Sequence, residues 1–437
     1  MFEPGFRRFA VSSGAILMLA ASSMAAAPVL ASGPVPASGH TLPANTRFYV
    51  PPPPTGSVAQ IVDLLKHRDV KDAFLIGDMI TTPQAVWLNG GTPAQVQKSV
   101  KKTVDMAAAF KTVPVFVAYN IPFRDCSQFS AGGAADATAY AAWIDGIARG
   151  IGTRQAVILL EPDGLGIIPF YQPLYGNMEW CQPKDSSNNP LPGADPADRF
   201  AEMNSAVDRL EQQPNVNVYL DGTHAAWLGA GEAADRLLKA GVQKAQGFFL
   251  NVSNFQTTAN SSTFGTWVSD CISAVTAPPA STPWQLGHTD WCPSQYVGSV
   301  PDYGTANVNA VNASYATMLG GASPTTHFVI DTSRNGQGPW LPPSPYTAAQ
   351  AQDWCNPPNR GLGLTPTANT GNALVAAYLW VKTPGQSDGA CNRWNPSGGI
   401  DPVRNMMDPA AGAWFPQLAL ELAKNAKPPL WLPKGVK

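Results

Sequence analysis

Charge is scarce in this chain. Asp, Glu, Lys and Arg supply 13% of its 437 residues, about half of the roughly 25% usual in globular proteins. The 28 basic and 30 acidic side chains leave a net charge of −2, so no basic surplus draws in a phosphate backbone, and nucleic acid is not an expected partner. Several signatures are missing as well: G-x-S-x-G, H-E-x-x-H, G-x-x-x-x-G-K-[ST] and C-x-x-C. Serine-elbow hydrolysis, zinc proteolysis and phosphate-cradle nucleotide binding therefore fail at the level of pattern. With only 5 histidines, a His-built metal centre is hard to assemble, and neither metal nor cofactor is expected. What is abundant is apolar and aromatic: 44% of residues are hydrophobic and 13 are Trp, ample for a large core. Gly 39 and Pro 42 make the chain loop-rich without reaching low complexity.

The first residues read as an export signal. Arg7 and Arg8 precede a short apolar run over 15–21, and small residues follow at Ser22, Ser23, Ala25, Ala26, Ala27 and Ala31. The run falls short of the roughly 20 apolar residues that span a membrane, and nothing downstream reaches that length; an uncleaved amphipathic anchor is the alternative. The expected organisation is a secretion signal over 1–31, a flexible lead-in rich in Pro, Ser, Gly and Ala over 32–46, and one catalytic domain over 47–437. A secreted monomer without membrane contact after signal cleavage follows. Six cysteines, Cys126, Cys181, Cys271, Cys292, Cys355 and Cys391, then read as disulfides, and their spacing does not choose the pairs.

Short apolar runs alternate with helical patterns along the rest of the chain. Seven strands are expected at 72–77, 113–119, 156–162, 216–222, 247–253, 327–333 and 376–382, with helices at 134–149, 196–211, 306–319 and 411–425. Such alternation predicts an α/β fold, a distorted seven-stranded parallel TIM-like β/α barrel. The segment 257–307 lacks clear periodicity and reads as a loop insertion stapled to itself. Polar punctuation falls at the C-terminal strand tips: 119–125, Glu161 and Asp163, Asp221, Asn251, Asp331, and 382–388. In a barrel of parallel strands that rim carries the chemistry.

The sharpest motif is Leu159-Leu160-Glu161-Pro162-Asp163-Gly164, an apolar strand that delivers carboxylates where Pro162 ends the ladder. Tyr119-Asn120-Ile121-Pro122-Phe123-Arg124-Asp125-Cys126 supplies a second acidic tip on the preceding strand. Carboxylates brought together share protons, and one stays protonated near neutral pH. Helix capping or pairing with Arg124 is the plain structural alternative. Trp87, Trp227, Trp340, Trp354, Trp380 and Trp414 lie beside polar tips, and indole faces suit the apolar C–H faces of sugar rings, although Trp143 and Trp380 read as core. His224 suits either a ligand hydroxyl or the backbone.

Together these motifs resemble glycoside hydrolase family 6, the inverting β-1,4-glucanases that include endoglucanases and cellobiohydrolases. The resemblance runs from Phe48 to Pro429 and is carried by 119–126, 160–163, 219–227, 251–255, Trp354-Cys355, 365–371 and 381–389. It implies that Asp163 is the general acid, that Asp125 keeps the pKa of Asp163 high, and that Asp388 is the candidate base. It implies further that Tyr119 distorts the sugar at the cleavage point and that Ser130 holds the attacking water. Trp87, Trp227 and Trp354 would stack glucosyl units, while Lys382, His224, Asn251, Asp221 and Gln386 would bind hydroxyls or order the site. The implied disulfides are Cys126 to Cys181, Cys355 to Cys391 and Cys271 to Cys292. Gln386 stands where the family often carries Glu, which leaves a charge role open there; Ala230 stands where some members stack a further Trp, which argues against a long tunnel. The function expected is a secreted β-1,4-glucanase cutting internal bonds of cellulose or a related β-glucan. The alternatives are a cellobiohydrolase acting at chain ends and a non-catalytic glucan-binding barrel.

Overall fold

The computed structural model describes residues 42–343, 352–393 and 399–432. The expected signal over 1–31 lies outside the described residues, as does all of the lead-in except 42–46. Two helices, α1 (Thr55–Lys66) and α2 (Val70–Thr81), precede the first strand β1 (Val86–Leu88). From there strands and helices alternate: α3 (Pro93–Ala109), β2 (Val115–Ala118), α4 (Ala137–Ile151), β3 (Ala156–Leu160), α5 (Pro196–Leu210), β4 (Val216–Asp221), α6 (Ala230–Lys239), β5 (Gly247–Leu250) and α7 (Thr258–Thr276). A small antiparallel pair, β6 (Tyr296–Val297) and β7 (Val300–Pro301), leads to α8 (Thr305–Leu319), β8 (His327–Asp331), β9 (Val375–Leu379) and α9 (Pro416–Lys424).

Seven strands form one parallel sheet in the order β1-β2-β3-β4-β5-β8-β9. The sheet curls until its edges nearly meet: Ala85 N donates to the Trp380 carbonyl at 2.9 Å and Trp87 Nε1 to the Val381 carbonyl at 2.9 Å. Both faces are buried, which explains why the strands read as unbroken apolar runs. Val117, Leu159, Tyr219, Phe249, Val329 and Ala377 point inward and fill the barrel. The alternate set, including Phe116, Ile158, Val218, Phe248 and Phe328, points outward against the helices. Helix starts are set by local chemistry: Thr92 forms a capping box with Gln95, and Asp136 and Asp195 accept from the backbone of α4 and α5.

Seven barrel strands were expected and, among the described residues, the barrel sheet has seven, but the first is not at 72–77. That run lies in α2, where Ala73, Ile76, Met79 and Ile80 are buried at helical spacing and the last three pack with α9 and Trp380. The true first strand has only three residues, too few to show a period. The segment 257–307 also differs from expectation. It opens with the 19-residue helix α7, whose Ser, Thr and Gly content hides its apolar face; only the part after Thr276 is the loop.

Candidate functional site

Residues at the tips of six of the seven barrel strands line a cleft of about 700 Å³, and the β8 tip supports it from behind through Asp331 and Arg334. Asp163 enters it on the turn that follows β3. Glu161 and Asp163 both have left-handed backbones, φ 56° and 63°, a conformation that non-glycine residues adopt only when neighbours enforce it. Glu161 is fully buried and its carboxylate accepts from Asn120 N at 2.8 Å and Ile121 N at 3.0 Å, locking the β3 tip to the β2 tip. Asp221, at the end of β4, accepts from Leu165 N and Gly166 N at 3.2 Å and from Thr223 N at 2.9 Å. The turn carrying Asp163 is thus held from both sides. Gly166 is required there, since a Cβ would lie 2.5 Å from the Trp227 ring.

Burial, with Asp221 and Asp125 nearby, pushes the Asp163 carboxyl well above the ordinary carboxylate range. Asp125 is itself raised to about 6 by burial, opposed by the Ser130 N–H that it accepts at 2.6 Å and by the Arg124 charge. Its loop is contorted, with positive φ at Phe123, Asp125, Cys126 and Ser127. Two devices hold it: the Cys126–Cys181 disulfide, and Arg124, which donates to the Tyr119 carbonyl at 2.6 Å and the Ser130 carbonyl at 2.9 Å.

Asp388 has the opposite electrostatics. Although buried, it is lowered to about 2, because Arg334 Nη1 approaches at 2.8 Å and Lys382 Nζ at 3.0 Å, and Asn356 N donates at 2.9 Å. One cavity therefore holds a carboxylic acid that keeps its proton and a carboxylate that stays ionised.

Trp87, Trp227 and Trp354 line the cleft with Tyr119, Ser130, His224, Lys382 and Gln386. Trp87 meets Tyr119 edge-on at 5.4 Å between centroids, and the Arg124 guanidinium lies over the Tyr119 ring. Burial lowers His224 to about 4. Its Nδ1 accepts from Ala226 N at 3.2 Å, so the neutral ring carries its proton on Nε2 as a donor. Phe129 lies 6.0 Å from Trp354 between ring centroids, and Gly389 makes room for it, since a Cβ there would meet Phe129 at 2.5 Å.

Two of the residues expected to bind hydroxyls or order the site do not line the cleft. Asn251 is fully buried, and its side chain bonds Gln256 N, Gln256 O and the Asp331 carbonyl; Asp221 is buried behind the turn it holds. Both order the site rather than line it. Trp340 and Trp414 are likewise elsewhere, Trp340 under Arg393 and Trp414 bonded to Gln60. All three disulfides implied by the resemblance are formed.

Several residues escaped the sequence reading. Arg334 and Asn356 fix Asp388, and Asp353 and Trp180 line the cleft. Arg334 follows the tip of β8 by three positions, so the strand-tip rule that selected Asp331 reaches it. Asp331 itself accepts from Ser253, Ser333, Val381 and Lys382 backbone N–H groups, tying three tips together. Among the described residues no group of three or more His, Cys, Asp or Glu is placed to hold a metal ion.

Comparison with known proteins identifies the family of the chain. Endoglucanase A from Cellulomonas fimi is 32% identical over 357 residues, 82% of this chain but 57% of that protein, so the chain spans little more than half the length of this relative. Endoglucanase 1 from Streptomyces halstedii is 34% identical over 325 residues, 74% of this chain and 76% of that protein. The structure of the endoglucanase Cel6 from Mycobacterium tuberculosis, in complex with methyl-cellobiosyl-4-deoxy-4-thio-β-D-cellobioside, superposes with a TM-score of 0.60 at 32% identity, covering 87% of this chain and 98% of that one. The family profile matches residues 43–426, and the chain belongs to Glycosyl hydrolases family 6.

Proposed function

We propose that the protein is a secreted, inverting β-1,4-glucanase that cuts internal bonds of cellulose or a related β-glucan. The observation that carries this reading is the pairing of a proton-retaining Asp163 with a permanently ionised Asp388 in one tryptophan-lined cleft. Asp163 gives its proton to the glycosidic oxygen as the bond to the anomeric carbon breaks, and water attacks from the opposite face. A carboxylate at about 2 is a weak proton acceptor; Asp388 favours the positive charge that develops on the sugar and orders the attacking water. Ser130 and Asp125, joined by a 2.6 Å hydrogen bond from the Ser130 backbone, are placed to hold that water and relay its proton. Trp87, Trp227 and Trp354 stack glucosyl rings, while Lys382, Gln386 and the His224 Nε2 proton bind hydroxyls. Export by residues 1–31 and action as a monomer are part of the same proposal; the N-terminal residue of protein recovered from the medium tests the first.

Asp163→Ala should abolish turnover of carboxymethylcellulose while leaving the melting temperature and glucan binding close to wild type; retained turnover rejects the assignment. A cellobiohydrolase is favoured by one contact, Phe129 of the Asp125 loop against Gly389 of the Asp388 loop, which joins two loops of the cleft. Early viscosity loss relative to reducing-end release marks internal cutting, and its absence marks chain-end action. A binding barrel would not require Asp125, Asp163 and Asp388 in one cavity.

A further inference from the structure

Single exposed apolar side chains are ordinary on a protein surface, but here several rings are exposed in one small region beside the cleft. Trp284 is 60% exposed, Trp291 49% and Tyr175 70%. Trp284 and Trp291 belong to two short 3₁₀ turns, Pro283–Gln285 and Thr289–Trp291, joined by a hydrogen bond from His288 N to the Gln285 carbonyl at 3.0 Å. The His288 ring stacks on Trp291 at 3.8 Å with 8° between the planes. Tyr175 reaches the same turn from another loop, its hydroxyl donating to the Asp290 carbonyl at 2.5 Å.

These rings are held rather than loose. The Cys271–Cys292 disulfide fastens the segment to α7. Leu174 N donates to Glu232 at 2.8 Å, and Glu179 pairs with Arg236 at 2.7 Å, which pins the Tyr175 loop to α6. Rings ordered in advance lose little conformational freedom on binding. The region is also continuous with the cleft. Trp180, five residues beyond Tyr175, is 54% exposed and lines the cleft, and Tyr296, just past Trp291, donates from its hydroxyl to the Trp227 carbonyl at 3.1 Å.

We infer that Trp284, Trp291 and Tyr175 form a second glucan-binding platform, an extension of the cleft beyond Trp227 that holds a β-1,4-glucan chain on the surface of insoluble substrate. The inference rests on the glucanase reading for the identity of the occupant. Flat, preordered aromatic faces suit the C–H faces of successive pyranose rings. Continuity with the tryptophan-lined cleft selects a glucan over a protein partner. With Ala230 buried at the start of α6, the aromatic surface past Trp227 comes from this insertion.

The test compares wild type with Trp284→Ala/Trp291→Ala and with Trp284→Phe/Trp291→Phe. Partition onto microcrystalline cellulose should fall at least about fivefold in the alanine pair and recover for the most part in the phenylalanine pair. Turnover of a short cello-oligosaccharide such as cellotetraose, which occupies the cleft alone, and the melting temperature should stay at wild-type values in both. An unchanged partition coefficient overturns the platform, as does a fall matched by an equal loss of cello-oligosaccharide turnover. Loss of a dimer on light scattering with cellulose binding intact overturns it in favour of a self-association surface. Failure of the glucanase reading shows separately, as wild type that does not turn over the soluble polymer.

Discussion

Asp163 and Asp388 are the same side chain in the same cavity, and their neighbours alone separate them. Asp163 is raised by burial and by Asp221 and Asp125; Asp388 is lowered to about 2 by Arg334 and Lys382. Two pH shifts follow. Arg334→Gln removes one of the two cations that hold Asp388 ionised, so the acid limb of kcat/KM against pH should move up by about one unit or more. An unmoved limb shows that Asp388 ionisation does not govern turnover. Asp125→Asn removes a negative neighbour, so Asp163 should lose its proton at lower pH and the alkaline limb should move down; movement upward contradicts the coupling. At this scale the sequence was informative about acids and poor about what surrounds them. Asp163, Asp125 and Asp388 stand in recognisable strand-tip motifs, whereas Arg334 is 54 positions from its partner, a separation across which no local pattern operates. Asn251 and Asp221 fit the same tip pattern yet face the backbone, because tip position does not fix the direction of a side chain.

Strands were legible wherever both faces are buried, since a run such as Ala156–Leu160 has no polar position to interrupt it. The two errors share a cause. In α2 an apolar cluster was too short to separate a period of 2 from one of 3.6, and in α7 small polar residues diluted the stripe. The loops that carry chemistry are held by covalent links and side chains rather than by secondary structure. Cys126 adjoins Asp125, and its bond to Cys181 spans 55 residues; in the chain-entropy account such a closure stabilises by about 4 kcal/mol. Cys126→Ser/Cys181→Ser should therefore lower the melting temperature. It should also lower kcat more than substrate binding, because the freed loop carries Asp125 and Ser130 while Trp227 and Trp354 remain in place. Equal losses in kcat and in binding argue against that division.

Buried carboxyls give the whole molecule a pH signature. Glu161 and Glu202 are raised to about 7, and Asp125, Asp221, Asp270 and Asp408 to about 6, each chiefly by burial. A carboxyl that titrates higher in the folded chain than in the unfolded one binds more protons when folded, so stability falls as pH rises between the two values. His224, lowered to about 4, acts in the other direction below about 6.5. Six groups outweigh one, so the melting temperature should drop between about pH 5 and pH 8. A melting temperature that rises across that range disproves the account. The barrel seam has a consequence for synthesis. Ala85 and Trp87 near the start of the chain meet Trp380 and Val381 near its end, and Asp388 lies beyond that seam. A chain still emerging from the ribosome can pair β2 through β5, but the catalytic constellation comes into being only after Val381 and Asp388 have been made. A protein cut anywhere between Asp331 and Asp388 would keep most of its helices and have no working centre.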